Sequence, residues 1–259
     1  MLLSASAADA QVVGASQALL FAGGDLRVRQ NANITGGIGA SSVRLDQNAR
    51  VYGDISYLNE YRLGRNSQLV GAADRVAAFD PIAMPPIPSD QGPDLRISNN
   101  QNVHLVANTF GALQVQNNVT LSLSEGVYVF ESIIGRNNLA IVADTTAGDV
   151  SIVVSEDLLG GNQFTISSIG ENSVQLTVLG RLETGNNARL TANIVAGSAD
   201  IGQNARLVGS VATQRDLAIG ANFNGTFVAP PEPSVNLPAP ATAAAFAGFG
   251  LAASRRRRG

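Results

Sequence analysis

The chain has 259 residues with no Cys, no Trp and no Lys; 45% of its residues are hydrophobic but only 5% aromatic, and its formal net charge is −3. The missing thiols exclude a disulfide scaffold and a thiolate metal centre. All 17 basic residues are Arg, and four of them form the run 255–258, which leaves 13 against 20 acidic residues; such an acidic body lacks the basic excess that a nucleic-acid partner calls for.

Residues 1–10 end in Ala8-Asp9-Ala10, the small-x-small form of a cleavage site, and read as the remnant of an export signal. The apolar run Ala18-Leu19-Leu20-Phe21-Ala22, followed by Gly23-Gly24, reads as a first strand or as a cap on an open end of the fold.

From Leu26 an Asn-centred phrase recurs. It appears as Leu26-Arg27-Val28-Arg29-Gln30-Asn31-Ala32-Asn33-Ile34, as Val43-Arg44-Leu45-Asp46-Gln47-Asn48-Ala49-Arg50-Val51, and around Asn66. It returns around Asn187, Asn204 and Asn222, and the step within each block is 17 or 18 residues. A period this short cannot hold a helical hairpin and fits a β-solenoid whose coils have three short sides. Apolar residues alternate on either side of each Asn, the period-two mark of a half-buried strand. Asn tolerates left-handed backbone angles, and stacked Asn side chains can hydrogen-bond from coil to coil, so Asn31, Asn48, Asn66, Asn187, Asn204 and Asn222 are expected to be turn and ladder residues. The fold class predicted is all-β: a single parallel, right-handed β-helix over 11–228.

Residues 75–94 interrupt the pattern with Pro81, Pro85, Pro86, Pro88 and Pro93 and are expected to cross outside the stack, with a helical turn over Asp74–Phe79. The second block starts at Leu95. Its Asn turns near 137, 162 and 187 are 25 apart, which implies wider coils in the middle.

After Val228 the composition shifts to a Pro-rich linker, 229–236, and then to a tail, 237–259. Leu237–Ser254 is an apolar stretch of 18 residues, about 27 Å as a helix and barely a bilayer core, followed by Arg255, Arg256, Arg257 and Arg258, a basic stop that would hold the cytoplasmic side. This tail resembles the C-terminal sorting signals of Gram-negative bacteria read by exosortase-type enzymes. Val235-Asn236-Leu237-Pro238-Ala239 is similar to the VPLPA variant, with Asn236 in place of Pro, and Pro231-Glu232-Pro233-Ser234 resembles the PEP variant. The resemblance implies export, transient inner-membrane insertion, an exosortase-type partner, and attachment at the surface or release into the extracellular matrix. The body, notably Gly202-Gln203-Asn204-Ala205-Arg206-Leu207-Val208-Gly209, resembles bactofilin-like, polymer-forming bacterial surface proteins, and that resemblance brings no catalytic residues.

The chemistry of a β-helix polysaccharide lyase or hydrolase needs clustered carboxylates with a base or a bound metal. Here the only His is His104, and the acids are scattered one per phrase, with Glu156-Asp157 the sole adjacent pair in the coils; strand neighbours point to opposite faces, which makes that pair a poor couple. No catalytic, cofactor or metal site is expected. Arg27 with Arg29, and Arg44 with Arg50, could form an outward stripe for acidic polysaccharide or simply solubilise the surface. The expected function is a structural or adhesive solenoid of the cell envelope, without nucleic-acid partners, that could also self-associate. The alternative is a carbohydrate-acting or carbohydrate-binding β-helix, including an ice-binding one, although Thr is too sparse for a regular ice-binding ladder.

Overall fold

The computed structural model describes residues 12–13, 18–86 and 92–228. The sorting motif, the basic stop and the expected C-terminal helix lie outside them, as does the signal remnant. Every described element is a strand, and every pairing is parallel. Partners are separated by one repeat: Leu95 pairs with Leu113, Arg189 with Arg206, and Ile38 with Ile55. The chain therefore winds as a solenoid with three faces. Leu95–Ile97, Leu113–Val115 and Leu217–Ile219 belong to the first face, Asn102–Leu105, Val119–Leu123 and Asn224–Phe227 to the second, and Gly126–Phe130 and Val150–Val154 to the third. Longer strands such as Arg189–Ile201 and Ile38–Leu45 bend round a corner and serve more than one face. Leu26, Val28, Ile34, Val43, Leu45 and Val51 turn inward and are almost fully buried. These are the alternate apolar positions of the repeat, and the narrow tube explains why aliphatic residues dominate it.

The order of the coils is not the order of the chain. Residues 92–228 build one end of the stack, and residues 18–79 continue it beyond residue 228. One coil is shared between them: Asn224–Phe227 provides its second face, whereas Leu20–Val28 provides its third and first. The joint is continuous on all three faces, through Leu20 with Val211, Leu26 with Leu217, and Ile34 with Gly225. Leu20–Val28 thus lies inside the stack, between 206–219 and 38–45, and is not a cap on an open end. The body's chain enters at Leu19, which donates to the Gly37 carbonyl, and leaves at Val228, which donates to Gly209, at one corner of this shared coil.

Residues expected to form a helical turn are instead the strands Ala73–Arg75 and Ala78–Phe79, because Ala73, Asp74 and Arg75 still pair with Ile55, Ser56 and Tyr57 of the coil below. Ala78–Phe79 pairs with Val12–Val13 in a separate two-stranded sheet. The crossing segment accordingly begins after Phe79. Phe79 packs edge-on against Phe21 with ring centroids 5.0 Å apart, Ile82 joins the same cluster, and the Ile82 carbonyl accepts from Gln214. At the far end of the stack the Pro93 carbonyl accepts from Gly111.

The wider coils have a local cause. Leu123 pairs 20 residues ahead with Ala143, but Gly126 pairs 24 ahead with Val150, so the extra residues sit at the corner between the second and third faces. There Asn172 donates to the Thr145 carbonyl and Asp149 accepts from both the backbone and the hydroxyl of Ser173. One coil earlier, the buried Tyr128 closes this corner by accepting from the Ser124 N–H and donating to the Leu105 carbonyl. Burial raises the pKa of its phenol above the ordinary tyrosine value.

Two outcomes follow from this packing. Leu207 is buried between Leu190 and Gly225, so Leu207→Ala should cost about 2–5 kcal/mol in a denaturant titration, and Leu207→Asp should abolish cooperative unfolding by burying an unpaired charge. Deleting 87–91 leaves five residue steps between Ile82 and Gly92, about 17 Å at most, whereas Gln214 and Thr109 are about five coil spacings, or 24 Å, apart. Limited proteolysis should then digest 18–79 while 92–228 resists.

Candidate functional site

The corner between the first and second faces organises the surface. Ten non-glycine residues have positive φ: Asn100, Asn118, Asn138, Gln163, Asn187, Asn204, Asn222, Asn31, Asn48 and Asn66, all between 57° and 62°. In stacking order they form one column, a single residue per coil. Their amides bond along it: Asn118 to Asn100 at 2.9 Å, Asn138 to Asn118 at 2.6 Å, Asn204 to Asn187 at 3.3 Å, Asn222 to Asn204 at 2.8 Å, Asn31 to Asn222 at 3.2 Å, and Asn48 to Asn31 at 3.1 Å. The Asn31–Asn222 bond crosses the shared coil, so the ladder runs through the joint without a break. Immediately before it lies a second column, in which the side-chain oxygens of Asn99, Asn117, Asn162 and Asn186 accept backbone N–H groups of the next coil at 2.9–3.2 Å.

All six turn residues read from the repeat are in this column, and all but Asn66 also bond along it through their side-chain amides. Among the wider coils the turn residues are Asn138 and Gln163, not the Asn137 and Asn162 expected; those two lie in the preceding column. Asn100, Asn118 and Gln163 were missed as turn residues. The doublets Asn99-Asn100, Asn117-Asn118 and Asn137-Asn138, each preceding an alternating apolar run, were the signal for all but Gln163.

Charge is sorted by corner. The corner between the third and first faces carries Asp25, Glu60, Glu131, Glu156, Asp157 and Asp216, and that between the second and third carries Asp54, Glu125, Asp144, Asp149 and Glu171. Many of these carboxylates hold main chain. Asp54 accepts from the Ala72 N–H at 2.9 Å, Asp94 from Ala112 at 3.0 Å, Asp157 from Arg181 at 2.7 Å, and Asp216 from Asp25 at 2.9 Å. Glu156 and Asp157 are exposed and lie outside the strands, at a corner, so strand alternation does not apply to them. Asp144 accepts from the backbone and hydroxyl of Thr146, which lowers its pKa. His104 is exposed on the second face beside Ser122. Among the described residues there is no group of three His, Cys, Asp or Glu that could hold a metal ion, and no helix long and apolar enough to cross a membrane.

The Asn corner is different in charge. Arg27, Arg44 and Arg62 stand in register on its first-face side. Asp46 is gripped by two of them, by Arg27 Nη2 at 2.9 Å and Arg44 Nε at 3.1 Å, and Arg62 pairs with Glu60. With Arg29, Gln30 and Arg65 they line an open hollow of about 610 Å³. On the second-face side, Asn138, Gln163, Asn187 and Asn204 flank Thr165, Arg189 and Arg206 around a hollow of about 800 Å³. Arg50 lies further along that column, reached from Arg206 through Asn224 and Asn33. The expected pairs of Arg residues are thus divided: Arg27 and Arg44 are ion-paired on the first face, whereas Arg29 sits at the corner and Arg50 on the second face.

The left-handed turn is testable. Asn204→Gly should be mild, since Gly adopts φ 57° freely and loses only ladder bonds, whereas Asn204→Val should lower the melting temperature sharply, because a β-branched residue resists that conformation.

Residues 92–249 match the family described as "Domain of unknown function (DUF7305)". No curated protein matches the chain. Among solved structures, the DUF3494 domain of an ice-binding protein from Shewanella frigidimarina is similar with a TM-score of 0.41 and 12% identity, over 83% of this chain and 95% of that one.

Proposed function

The chain belongs to the DUF7305 family, a domain of unknown function, and we propose that it is a non-enzymatic structural or adhesive rod, exported and held at the envelope of a Gram-negative bacterium by its C-terminal segment. The observation that carries the reading is the use made of the carboxylates. Asp54, Asp94, Asp149, Asp157 and Asp216 each accept a backbone N–H one coil on, and Asp46 is clamped between two guanidinium groups. Carboxylates engaged in this way brace the stack and are not free as a general acid and base. The one imidazole, His104, is exposed without a side-chain partner among the described residues. An ice-binding surface calls for a regular flat array, whereas the second face interrupts Thr120, Thr165 and Thr191 with Arg189 and Arg206.

The envelope location rests on the tail. Its motif, Pro231-Glu232-Pro233 or Val235-Asn236-Leu237-Pro238-Ala239, precedes an apolar stretch and Arg255–Arg258, in the order of an exosortase-type signal. Likeness of the repeat to polymer-forming surface solenoids agrees with a structural role. The tail is a processing and anchoring segment in this reading, separate from the coils.

Cell fractionation with mass measurement of the mature C-terminus tests it. The expected result is an envelope or extracellular protein cut before Gly259; an intact tail on a soluble cytoplasmic protein would refute the anchor. Truncation after Val228 should leave the melting temperature unchanged and abolish membrane association.

A further inference from the structure

Seven arginines flanking the Asn corner have no carboxylate within 4.0 Å among the described residues: Arg29, Arg50, Arg65, Arg96, Arg136, Arg189 and Arg206. Where Arg stacks on Arg along the first face, carboxylates neutralise it. Arg27 and Arg44 share Asp46, and Arg181 is met by Glu183 at 3.1 Å and by Asp200 at 3.5 Å. Arg189 and Arg206, by contrast, are direct cross-strand neighbours one coil apart with nothing between them. Like charges in that position repel and cost stability. The acidic residues nearest the Asn corner, Asp46, Glu183 and Asp200, are engaged by Arg27, Arg44 and Arg181, and most others lie at the other two corners.

We infer that the Asn corner is a docking ridge for an extended, carboxylate-bearing polysaccharide, a reading that goes beyond the structural role and does not depend on the anchor. Guanidinium groups bind carboxylates through paired charge-assisted hydrogen bonds. Arg189, Arg206 and Arg50 fall on one in-register column four coils long, about 19 Å. That length suits a polymer with charge at intervals better than a single sugar. Between and beside them the amides of Asn187 and Asn204 offer both donors and acceptors to sugar hydroxyls. The ridge has no row of aromatic side chains on which bases could stack, and acidic corners on either side disfavour a densely charged nucleic acid.

Isothermal titration of the full chain with sodium polygalacturonate, at low and moderate salt, tests the ridge. The expected result is binding that weakens with salt and falls at least about tenfold in R189Q/R206Q. The same variant should melt no lower than the parent, since it removes a repulsion. R181Q, which alters an arginine already paired on the first face, should bind as the parent does. If R189Q/R206Q does not fold, R29Q/R65Q gives the same reading from the other side of the corner. Unchanged binding in the folded variant, equal binding of neutral dextran, tighter binding of single-stranded DNA, or no binding of polygalacturonate would each overturn the proposal. None of these results bears on the tail, so failure here is distinguishable from failure of the envelope reading.

Discussion

A parallel solenoid stands only if every coil turns at the same place, because main-chain bonds run from each coil to the next and a slip of one residue would reverse which side chains face inward. In this protein the place is set by a left-handed residue. Asn supplies that conformation at low cost and then, through its side chain, bonds to its counterpart one coil away. The small residues that follow, Ala32, Ala49, Ala188 and Ala205, are buried just inside the turn and leave room for the corner to close. The corner thus combines a conformational preference, a polar ladder and a packing constraint at one position.

The same device accounts for what could be read from sequence. Regular spacing from Asn31 to Asn66 and from Asn187 to Asn222 was legible because the turn and the alternating strands repeat together. In the middle coils the period stretches to 24 and 25 residues, as insertions at another corner push successive turns apart; there the eye settles on Asn137 and Asn162, one residue early, where a second Asn column performs a different task. Asp74–Phe79 looked helical by its local sequence, but the open edge of the coil below, at Ile55–Tyr57, pairs with it and overrides the local preference.

Long-range order was not legible at all. Nothing in a linear repeat says that residue 20 should lie against residue 211, since both blocks present the same edges and the same spacing. What decides is the shared coil: the C-terminal block stops after Asn224–Phe227 with one face built, and Leu20–Val28 supplies the two that are missing. The clustering of unpaired arginines was hidden for a related reason. Arg50, Arg189 and Arg206 are distant in sequence, and only the register of the stack places them in one line.

This arrangement also determines how the rod can be carried. Both ends of the body's chain, at Leu19 and Val228, emerge from one corner of a coil well inside the stack, and neither emerges at a tip. A tether joined at that corner therefore holds the rod by its flank, as a bar is held by a handle, and not upright like a mast. The rod then lies alongside whatever it is fastened to, turning about one off-centre pivot, with one arm longer than the other.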